Sequence, residues 1–264
     1  MKRLLSAKVG HTGTLDPLAS GLLVLLIGRA TRLSRYVTPL EKVYTATARF
    51  GAVSDTLDAD GNVTPLDTPM PDEDRIRAAL PRFTGVLLQT PPMASALKRG
   101  GARLYELHRR GLSVEREARR VTVHSITLTA TDPAQQKATF EVSCSSGTYV
   151  RSLVSDLAVY LGTGAYLSAL RRNRVGHMSV EDAAAPGELA PTTIRNRIIQ
   201  TNVVVSHLPA VEVDEVGERA VCGGRVLWGG GIEGSFRVQR GGELLAVYRG
   251  SGPEARAEVV LCGG

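Results

Sequence analysis

Cysteines, aromatic residues and long apolar runs are all scarce in this sequence. Its 264 residues include three cysteines, one tryptophan and 5% aromatic residues. Cys144, Cys222 and Cys262 are far apart, odd in number and without a Cys-x-x-Cys pair, which predicts reduced thiols and no structural zinc. No apolar stretch approaches the roughly 20 residues that a membrane-spanning helix needs, and residues 1–8 do not lead into a secretory segment. We therefore expect a soluble, cytoplasmic protein without membrane contact.

Several catalytic signatures are also missing. The sequence contains no Gly-Lys-Ser/Thr phosphate loop, no His-Glu-x-x-His helix and no Gly-x-Ser-x-Gly turn, which argues against the enzyme classes that depend on them. Asp55, Asp58 and Asp60 alternate before a glycine, but the glutamate that an EF-hand loop needs further on is absent, so a turn is predicted there. Neither a metal nor a cofactor is expected.

Positive charge is abundant, and arginine carries most of it. The formal net charge is +6, and only five of the 32 basic residues are lysine. Arginine favours planar contacts with phosphates and base edges, which points to nucleic acid. The densest basic tract contains Lys98, Arg99, Arg103, Arg109, Arg110, Arg116, Arg119 and Arg120. Such a tract can be merely a solvated face, but glycines expose its main chain, as phosphate binding would require.

A stretch near the N-terminus, residues 9–21, holds an acid in a predicted loop. Its glycines, threonines and proline do not continue a helix or a central strand. Pro17 keeps Asp16 out of the α region, so the carboxylate is expected to project from the loop. Residues 22–27 form an apolar run, which predicts a strand buried on both faces. An acid on a stiff loop suits a nucleophile or general base, although Asp before Pro also commonly begins a turn.

Two later segments have clear periodicity. Residues 42–50 alternate between polar and apolar, which predicts a strand with Tyr44 facing inwards. Residues 150–161 form an amphipathic pattern, which predicts a helix with Arg151 in its first turn and off the apolar stripe. An arginine there opposes the helix dipole and needs an anionic partner. Asp16 is the candidate, which pairing would keep ionised and aimed, and a surface arginine is the alternative.

The amino-acid sequences of several segments resemble the motifs of one protein family. Residues 10–21, Gly-His-Thr-Gly-Thr-Leu-Asp-Pro-Leu-Ala-Ser-Gly, closely resemble the signature of the TruB family of tRNA pseudouridine synthases. Further similarity lies in Lys-Val-Tyr at 42–44, in the Pro-Pro-to-Tyr stretch at 91–105 and in Cys-Ser-Ser-Gly-Thr-Tyr-Val-Arg-Ser-Leu at 144–153. Leu-Arg-Arg at 170–172 follows in the family's order. The resemblance covers about residues 8–180 through separated motifs, which makes coincidence implausible.

The resemblance implies a fold and a domain division. It implies an α+β pseudouridine synthase fold, with a mixed, largely antiparallel sheet and flanking helices, over residues 1–205. From about residue 206 the sequence changes to short β-prone pieces separated by glycines, which predicts a small β-rich domain over 206–264. By position this domain resembles the PUA RNA-binding domain. Family members begin with a further strand upstream of the Gly-His-Thr block, so the resemblance implies that this strand is missing and a sheet edge is left unpaired.

The resemblance also implies functional residues. Asp16 is expected to be catalytic, Tyr44 to stack on the target base, and Arg151 to be the active-site arginine. The residues expected to bind substrate are His11, Tyr149, Leu170, Lys98, Arg103, Arg109 and Arg110. His11 is a candidate to fill the space that a flipped-out base leaves, although a lone histidine is more often only hydrogen-bonded within its loop.

The implied reaction is the isomerisation of uridine to pseudouridine at position 55 in the T arm of tRNA. The target base must be flipped out of the RNA, at a cost of a few kcal/mol. No cofactor or protein partner is expected, and a monomer is predicted. Two alternatives stay open: a non-catalytic tRNA-binding or RNA-folding protein that keeps the scaffold, and an RNA-guided synthase of the dyskerin type. The bacterial character of residues 91–105 argues against the second.

Overall fold

The computed structural model describes residues 2–95, 97–99, 101–228 and 231–263, with only the main chain of Lys2, Arg3, Lys98 and Arg99. The α-helices are α1 (Lys2–Leu5), α2 (Ser34–Val37), α3 (Glu73–Ala79), α4 (Leu104–Arg109), α5 (Val150–Tyr160), α6 (Thr201–Val204) and α7 (Glu215–Cys222). Short 3₁₀ helices occupy Gly28–Leu33, Leu80–Phe83, Pro133–Gln135, Pro186–Glu188 and Ile194–Arg197. The first strands are β1 (Val9–His11), β2 (Ala19–Gly21), β3 (Leu25–Ile27), β4 (Lys42–Phe50), β5 (Ala52–Ser54), β6 (Val63–Pro65), β7 (Gly85–Gln89), β8 (Lys98–Arg99) and β9 (Ala102–Arg103). The later strands are β10 (Arg119–Asp132), β11 (Lys137–Cys144), β12 (Ala165–Val175), β13 (Met178–Ser179), β14 (Ala210–Glu212), β15 (Leu227–Trp228), β16 (Gly234–Arg240), β17 (Glu243–Ser251) and β18 (Glu254–Val260).

The described chain divides into two compact units. The central unit comprises residues 15–22 and 39–182, and the terminal unit comprises the residues up to 14, 23–38 and those from 183 onwards. Because each unit contains separate stretches of sequence, their bounds differ from the division at 205/206. That division stays a prediction about where catalysis and RNA binding reside.

The central unit is built on one large sheet. Its strands follow the order β13-β12-β4-β11-β10-β7, with antiparallel neighbours, and β2 adds to β12 in parallel. This confirms the predicted mixed, largely antiparallel sheet. The apolar positions of the alternating strands face α5, because such alternation places every second side chain on one face. The buried residues of this core include Ala46, Ala48, Phe50, Phe140, Val142, Leu153, Leu157 and Leu167.

The short strand β2 fixes the chain just after Asp16 against the sheet. Gly21 lies opposite Arg172 of β12, and the Leu22 amide donates to the Arg172 carbonyl oxygen over 2.8 Å. Gly21 has a φ of +97°, and a Cβ there would lie 2.3 Å from that same oxygen. Only glycine fits both the left-handed conformation and this close approach. The loop that carries Asp16 is therefore anchored at its C-terminal end.

The apolar run 22–27 differs from its prediction. Only Leu25–Ile27 forms a strand, β3, which pairs with β1 in a two-stranded sheet of the terminal unit. Leu22 and Val24 are buried, whereas Leu23 is 40% exposed. The prediction of a strand buried on both faces is wrong, because one side of this segment stays open to solvent and an unbroken apolar run does not reveal which side.

The terminal unit contains the predicted β-rich region. Five strands form a sheet in the order β14-β16-β17-β18-β15, packed around a core that includes Phe236 and Tyr248. Cys222, at the end of α7, and Cys262, after β18, form a disulfide with 5.3 Å between their Cα atoms. The expectation of reduced cysteines is therefore wrong for this pair, since the fold joins residues 40 apart in sequence. Across the described chain, no helix is long and apolar enough to cross a bilayer.

Candidate active site

Asp16 and Arg151 form the predicted ion pair. The main chain turns at Asp16, whose carbonyl oxygen accepts from the Ala19 amide over 2.8 Å. The Arg151 guanidinium holds the carboxylate with two bonds, Nε to Oδ2 at 2.9 Å and Nη2 to Oδ1 at 3.1 Å. The Asp16 side chain is 32% exposed and that of Arg151 only 3%. A charged, solvent-accessible acid is thus aimed by a buried cation.

Arg151 has further partners that explain how it is tolerated inside the protein. Its Nη1 atom lies 3.2 Å from Oδ2 of Asp58 and donates to the Thr56 carbonyl oxygen over 2.8 Å. Its Nη2 atom also donates to the Ala94 carbonyl oxygen over 2.8 Å. The alternative of a surface arginine is wrong. Arg151, Asp16 and Asp58 therefore form a cluster of one buried cation and two carboxylates.

Asp58 is the site residue that the sequence reasoning missed. The predicted turn is present, but the Asp58 side chain is only 3% exposed and pairs with Arg151. The Thr56 hydroxyl donates to Asp58 Oδ1 over 2.6 Å, and the Asp60 amide donates to the same atom over 3.1 Å. Since three aspartates alternate in this turn, their spacing alone does not identify the one that lies inside.

Tyr44 faces the core side of the sheet, as predicted. It lies on β4 opposite Arg172 of β12. Burial raises the pKa of Tyr44 above its ordinary value of 10.0, and the neighbouring Arg172 opposes part of that rise. The negative charge of Asp16 adds to the rise, which places the Tyr44 hydroxyl within electrostatic range of the Asp16 carboxylate. At neutral pH this tyrosine is a neutral ring, as stacking on a base requires.

Tyr149 marks the start of α5, two residues before Arg151. The side-chain amide of Gln89 donates to the Tyr149 carbonyl oxygen over 3.0 Å and accepts from the Tyr149 amide over 2.7 Å. Burial raises the pKa of the Tyr149 hydroxyl. Gln89 is 3% exposed, so a buried side chain holds the beginning of the helix that delivers Arg151.

The remaining predicted site residues are distributed more widely. Leu170 lies on β12 opposite Ala19, beside the Asp16 loop, and is buried. Arg103, Arg109 and Arg110 are exposed at or beside α4. His11 is exposed on β1 of the terminal unit. The side chain of Lys98 lies outside the described part of the structure. The proposed roles of all these residues stay predictions.

The described side chains offer no obvious metal centre. Among residues 2–95, 97–99, 101–228 and 231–263, no group of three His, Cys, Asp or Glu side chains is arranged to hold an ion. The chemistry that the cluster itself can supply is that of an ionised carboxylate, a fixed guanidinium and two tyrosines.

Solved structures define the class of fold. A chain of a Cbf5-Nop10-Gar1 complex superposes with a TM-score of 0.73 at 24% identity, covering 98% of this chain and 78% of that chain. A chain of an archaeal box H/ACA sRNP Nop10-Cbf5 complex gives a TM-score of 0.71 at 24% identity, covering 99% and 80%. The molecule has the fold of these chains, which confirms the predicted fold class.

Sequence comparison then gives the family. Residues 2–150 match the family described as TruB family pseudouridylate synthase (N terminal domain). A tRNA pseudouridine synthase B from Azoarcus sp. (strain BH72) is 41% identical over 251 residues, covering 93% of this chain and 83% of the relative. One from Burkholderia mallei (strain NCTC 10247) is 46% identical over 217 residues, covering 81% and 71%. The chain belongs to the TruB family.

Proposed function

We propose that this chain converts uridine to pseudouridine at position 55 in the T arm of tRNA, with Asp16 as the catalytic carboxylate. Membership of the TruB family supports the reaction, and its relatives are named for tRNA as the substrate. The single observation that carries the assignment to Asp16 is its geometry: a carboxylate accessible to solvent and held through both oxygens by a buried arginine.

The reaction is a rearrangement that needs no outside atoms. The bond between C1′ of the ribose and N1 of uracil breaks, the base turns, and a bond forms between C1′ and C5. The proton on C5 is lost and N1 gains one, so the product is an isomer of the substrate. In this reaction an ionised carboxylate can act as a nucleophile that attacks the ribose or the uracil ring. It can also act as a general base that removes a proton from the ribose. Each route needs Asp16 charged and reachable.

Arg151 acts on the reaction through Asp16. Its two bonds fix the direction of the carboxylate. Asp58 shares the positive charge of Arg151 from the buried side, which leaves Asp16 less neutralised than in an isolated pair. The carboxylate is therefore oriented without losing its reactivity.

The target base must leave the RNA stack before it can reach Asp16. Flipping costs a few kcal/mol, and stacking on the neutral ring of Tyr44 would offset about 1–3 kcal/mol of it. Leu170 contributes an apolar wall beside the Asp16 loop, and Tyr149 closes the side nearest Arg151. The basic residues Lys98, Arg103, Arg109 and Arg110 would contact phosphates, and His11 would occupy the space that the base leaves.

Mapping the product tests the reaction and the position together. The purified chain is incubated with an unmodified tRNA transcript, and pseudouridine is located by a chemical label that blocks primer extension. We expect product at position 55 alone, and none in a matched transcript with cytidine there. Product at another uridine would contradict the T-arm assignment. Salt-sensitive binding without product would favour the non-catalytic RNA-binding alternative.

The same assay tests the proposed independence from partners. We propose that the chain acts as a monomer on tRNA, without a guide RNA or another protein. Activity of the purified chain alone supports this, whereas activity that appears only with added guide RNA would favour a guided synthase. We also propose a cytoplasmic location. Detection of the chain in fractionated cells tests this location: the chain is expected in the cytosolic fraction, and its recovery from the membrane or secreted fraction would contradict the proposal.

A further inference from the structure

One tyrosine ring at the basic segment is contacted by two arginines. The guanidinium carbon of Arg103 lies 5.8 Å from the centre of the Tyr105 ring, and that of Arg109 lies 5.6 Å from it. Arg103 Nη1 also donates to the Tyr105 hydroxyl over 3.3 Å. Both arginines are exposed, and Tyr105 is half-buried. The ring therefore gathers two cations at one place on the surface.

Two cations gathered at one ring repel each other, and each arginine gives up side-chain entropy when it is held in place. The cation–π contacts with the ring offset part of this cost. The acid next to Tyr105 in sequence, Glu106, caps α4, since its carboxylate accepts from the Arg103 amide over 3.2 Å. An anion between or beside the two guanidiniums would relieve the repulsion.

We propose that Tyr105 is a positioning residue that holds Arg103 and Arg109 as a clamp for the phosphate backbone of the RNA substrate. The inference rests on the proposed function only in taking RNA as the ligand. Because the ring fixes the guanidiniums before the RNA arrives, less side-chain freedom is lost on binding. The clamp consists of Arg103, Tyr105 and Arg109, and Tyr105 itself makes no contact with the reacting atoms.

The clamp is connected to Arg151 through the main chain. The Tyr105 amide donates to the Ser95 carbonyl oxygen over 3.1 Å. The residue before Ser95, Ala94, accepts from Arg151 Nη2 over 2.8 Å. Leu104, beside Tyr105, is buried and anchors α4. The segment that carries the clamp is therefore joined by hydrogen bonds to the segment that contacts Arg151.

Two variants of Tyr105 separate the ring from the hydroxyl. The affinity for tRNA is measured over a series of salt concentrations, because each lost phosphate contact lowers the slope of log affinity against log salt by about 1. Tyr105→Leu is expected to weaken binding about 10-fold at low salt and to lower the slope by about 1 to 2. Tyr105→Phe keeps the ring and is expected to recover most of the affinity and the slope.

Tyr160 provides a matched control. It is a half-exposed tyrosine near the end of α5, and the guanidinium carbon of Arg82 lies 5.2 Å from its ring centre. Tyr160→Leu removes the same kind of contact at the end of the helix opposite Arg151 and is expected to leave the affinity and the slope unchanged. Circular dichroism and thermal melting of each variant establish that it is folded.

A double-mutant cycle keeps the proposal falsifiable if Tyr105→Leu loosens α4. If the ring acts through the arginines, Arg109→Ala weakens binding less in the Tyr105→Leu background than in the wild type. Additive effects, or a wild-type salt slope in Tyr105→Leu, would overturn the proposal, as would a loss in Tyr105→Phe equal to that in Tyr105→Leu. Wild-type protein that binds tRNA with the full slope but forms no pseudouridine would contradict the proposed function and leave the clamp intact.

Discussion

Arg151 and Asp58 form an ion pair in which each side chain is only 3% exposed, with 3.2 Å between Nη1 and Oδ2. The same guanidinium holds Asp16 at the accessible side. Buried charges are costly unless they are paired and hydrogen-bonded, and Asp58 receives bonds from Thr56 and Asp60 as well. Asp58 therefore supports the position of Arg151 and shares its charge with Asp16.

Removal of the Asp58 charge is expected to affect activity more than RNA binding. In Asp58→Asn, Arg151 retains its charge and Asp16 becomes its sole carboxylate partner among the described contacts. We expect a loss of about 1–3 kcal/mol in the free energy of unfolding and a fall in kcat of about 10- to 100-fold, with tRNA affinity unchanged. Urea unfolding and single-turnover kinetics measure the two effects. Asp60→Asn, an exposed position in the same turn, is the control and is expected to retain wild-type kcat.

Gln89 is expected to matter because it anchors the start of α5. Gln89→Glu keeps an acceptor for the Tyr149 amide but loses the donor to the Tyr149 carbonyl oxygen, and it adds a buried charge. We expect about 2 kcal/mol lower stability and a lower kcat as Arg151 loses its fixed position. Gln135→Glu makes the same change at an exposed site of the central unit and should be neutral. A Gln89→Glu enzyme with wild-type kcat would contradict this role.

Lys42 is expected to make stability depend on pH. Burial, followed by the nearby charge of Arg172, lowers the pKa of Lys42 from 10.5 to about 8. Between these values the unfolded chain binds more protons than the folded one, so the stability contributed by this group rises with pH. The increase is about 1 kcal/mol from pH 8 to 9. The measurement is the difference in urea stability between the wild type and Lys42→Met at each pH.

Taking the difference in stability between the wild type and Lys42→Met removes the contribution of other titrating groups. Burial raises the pKa of the Cys144 thiol from 9.0 to about 11, which lowers stability as pH rises above 9. Between pH 8 and 9 the folded thiol stays protonated in both proteins and the unfolded thiol titrates alike in both, so its effect cancels in the difference. Parallel stability curves for the wild type and Lys42→Met would show that Lys42 titrates at its ordinary pKa.

Gly21 is expected to be intolerant of a side chain. In Gly21→Ala, a positive φ costs about 1 kcal/mol, and the Cβ also meets the main chain of Arg172. The Asp16 loop must then shift, which is expected to lower kcat at least about 10-fold, since small misplacements of reacting groups cost this much or more. Gly162→Ala is the control, because its φ is +81° but a Cβ there meets open space. Equal kinetics in the two variants would exclude a role for the close approach.

The most regular elements were predictable from sequence. The strand at 42–50 and the helix beginning at Val150 have long periodic patterns, and both are present with nearly the predicted bounds. The pair between Asp16 and Arg151 was also predictable, because an arginine at a helix start needs an anion and the loop supplies one. These are the parts in which local pattern and tertiary structure agree.

The parts that escaped prediction depend on contacts between distant segments. Asp58 differs from Asp55 and Asp60 only in its burial against Arg151, and Gln89 caps a helix that begins 60 residues later. The disulfide between Cys222 and Cys262 likewise depends on how the terminal unit folds. Residue spacing and composition do not reveal such contacts. The Asp16 loop, by contrast, was identifiable because its sequence resembles a family motif.

The most direct test of the account is the rate of pseudouridine formation by Asp16→Asn under single-turnover conditions with unmodified tRNA. The amide keeps the size of the carboxylate but has neither its charge nor its reactivity. We predict a rate at least about 10³-fold below that of the wild type, with tRNA affinity within a few-fold and an unchanged melting temperature. Product formation by Asp16→Asn at the wild-type rate would contradict the assignment of Asp16 as the catalytic residue.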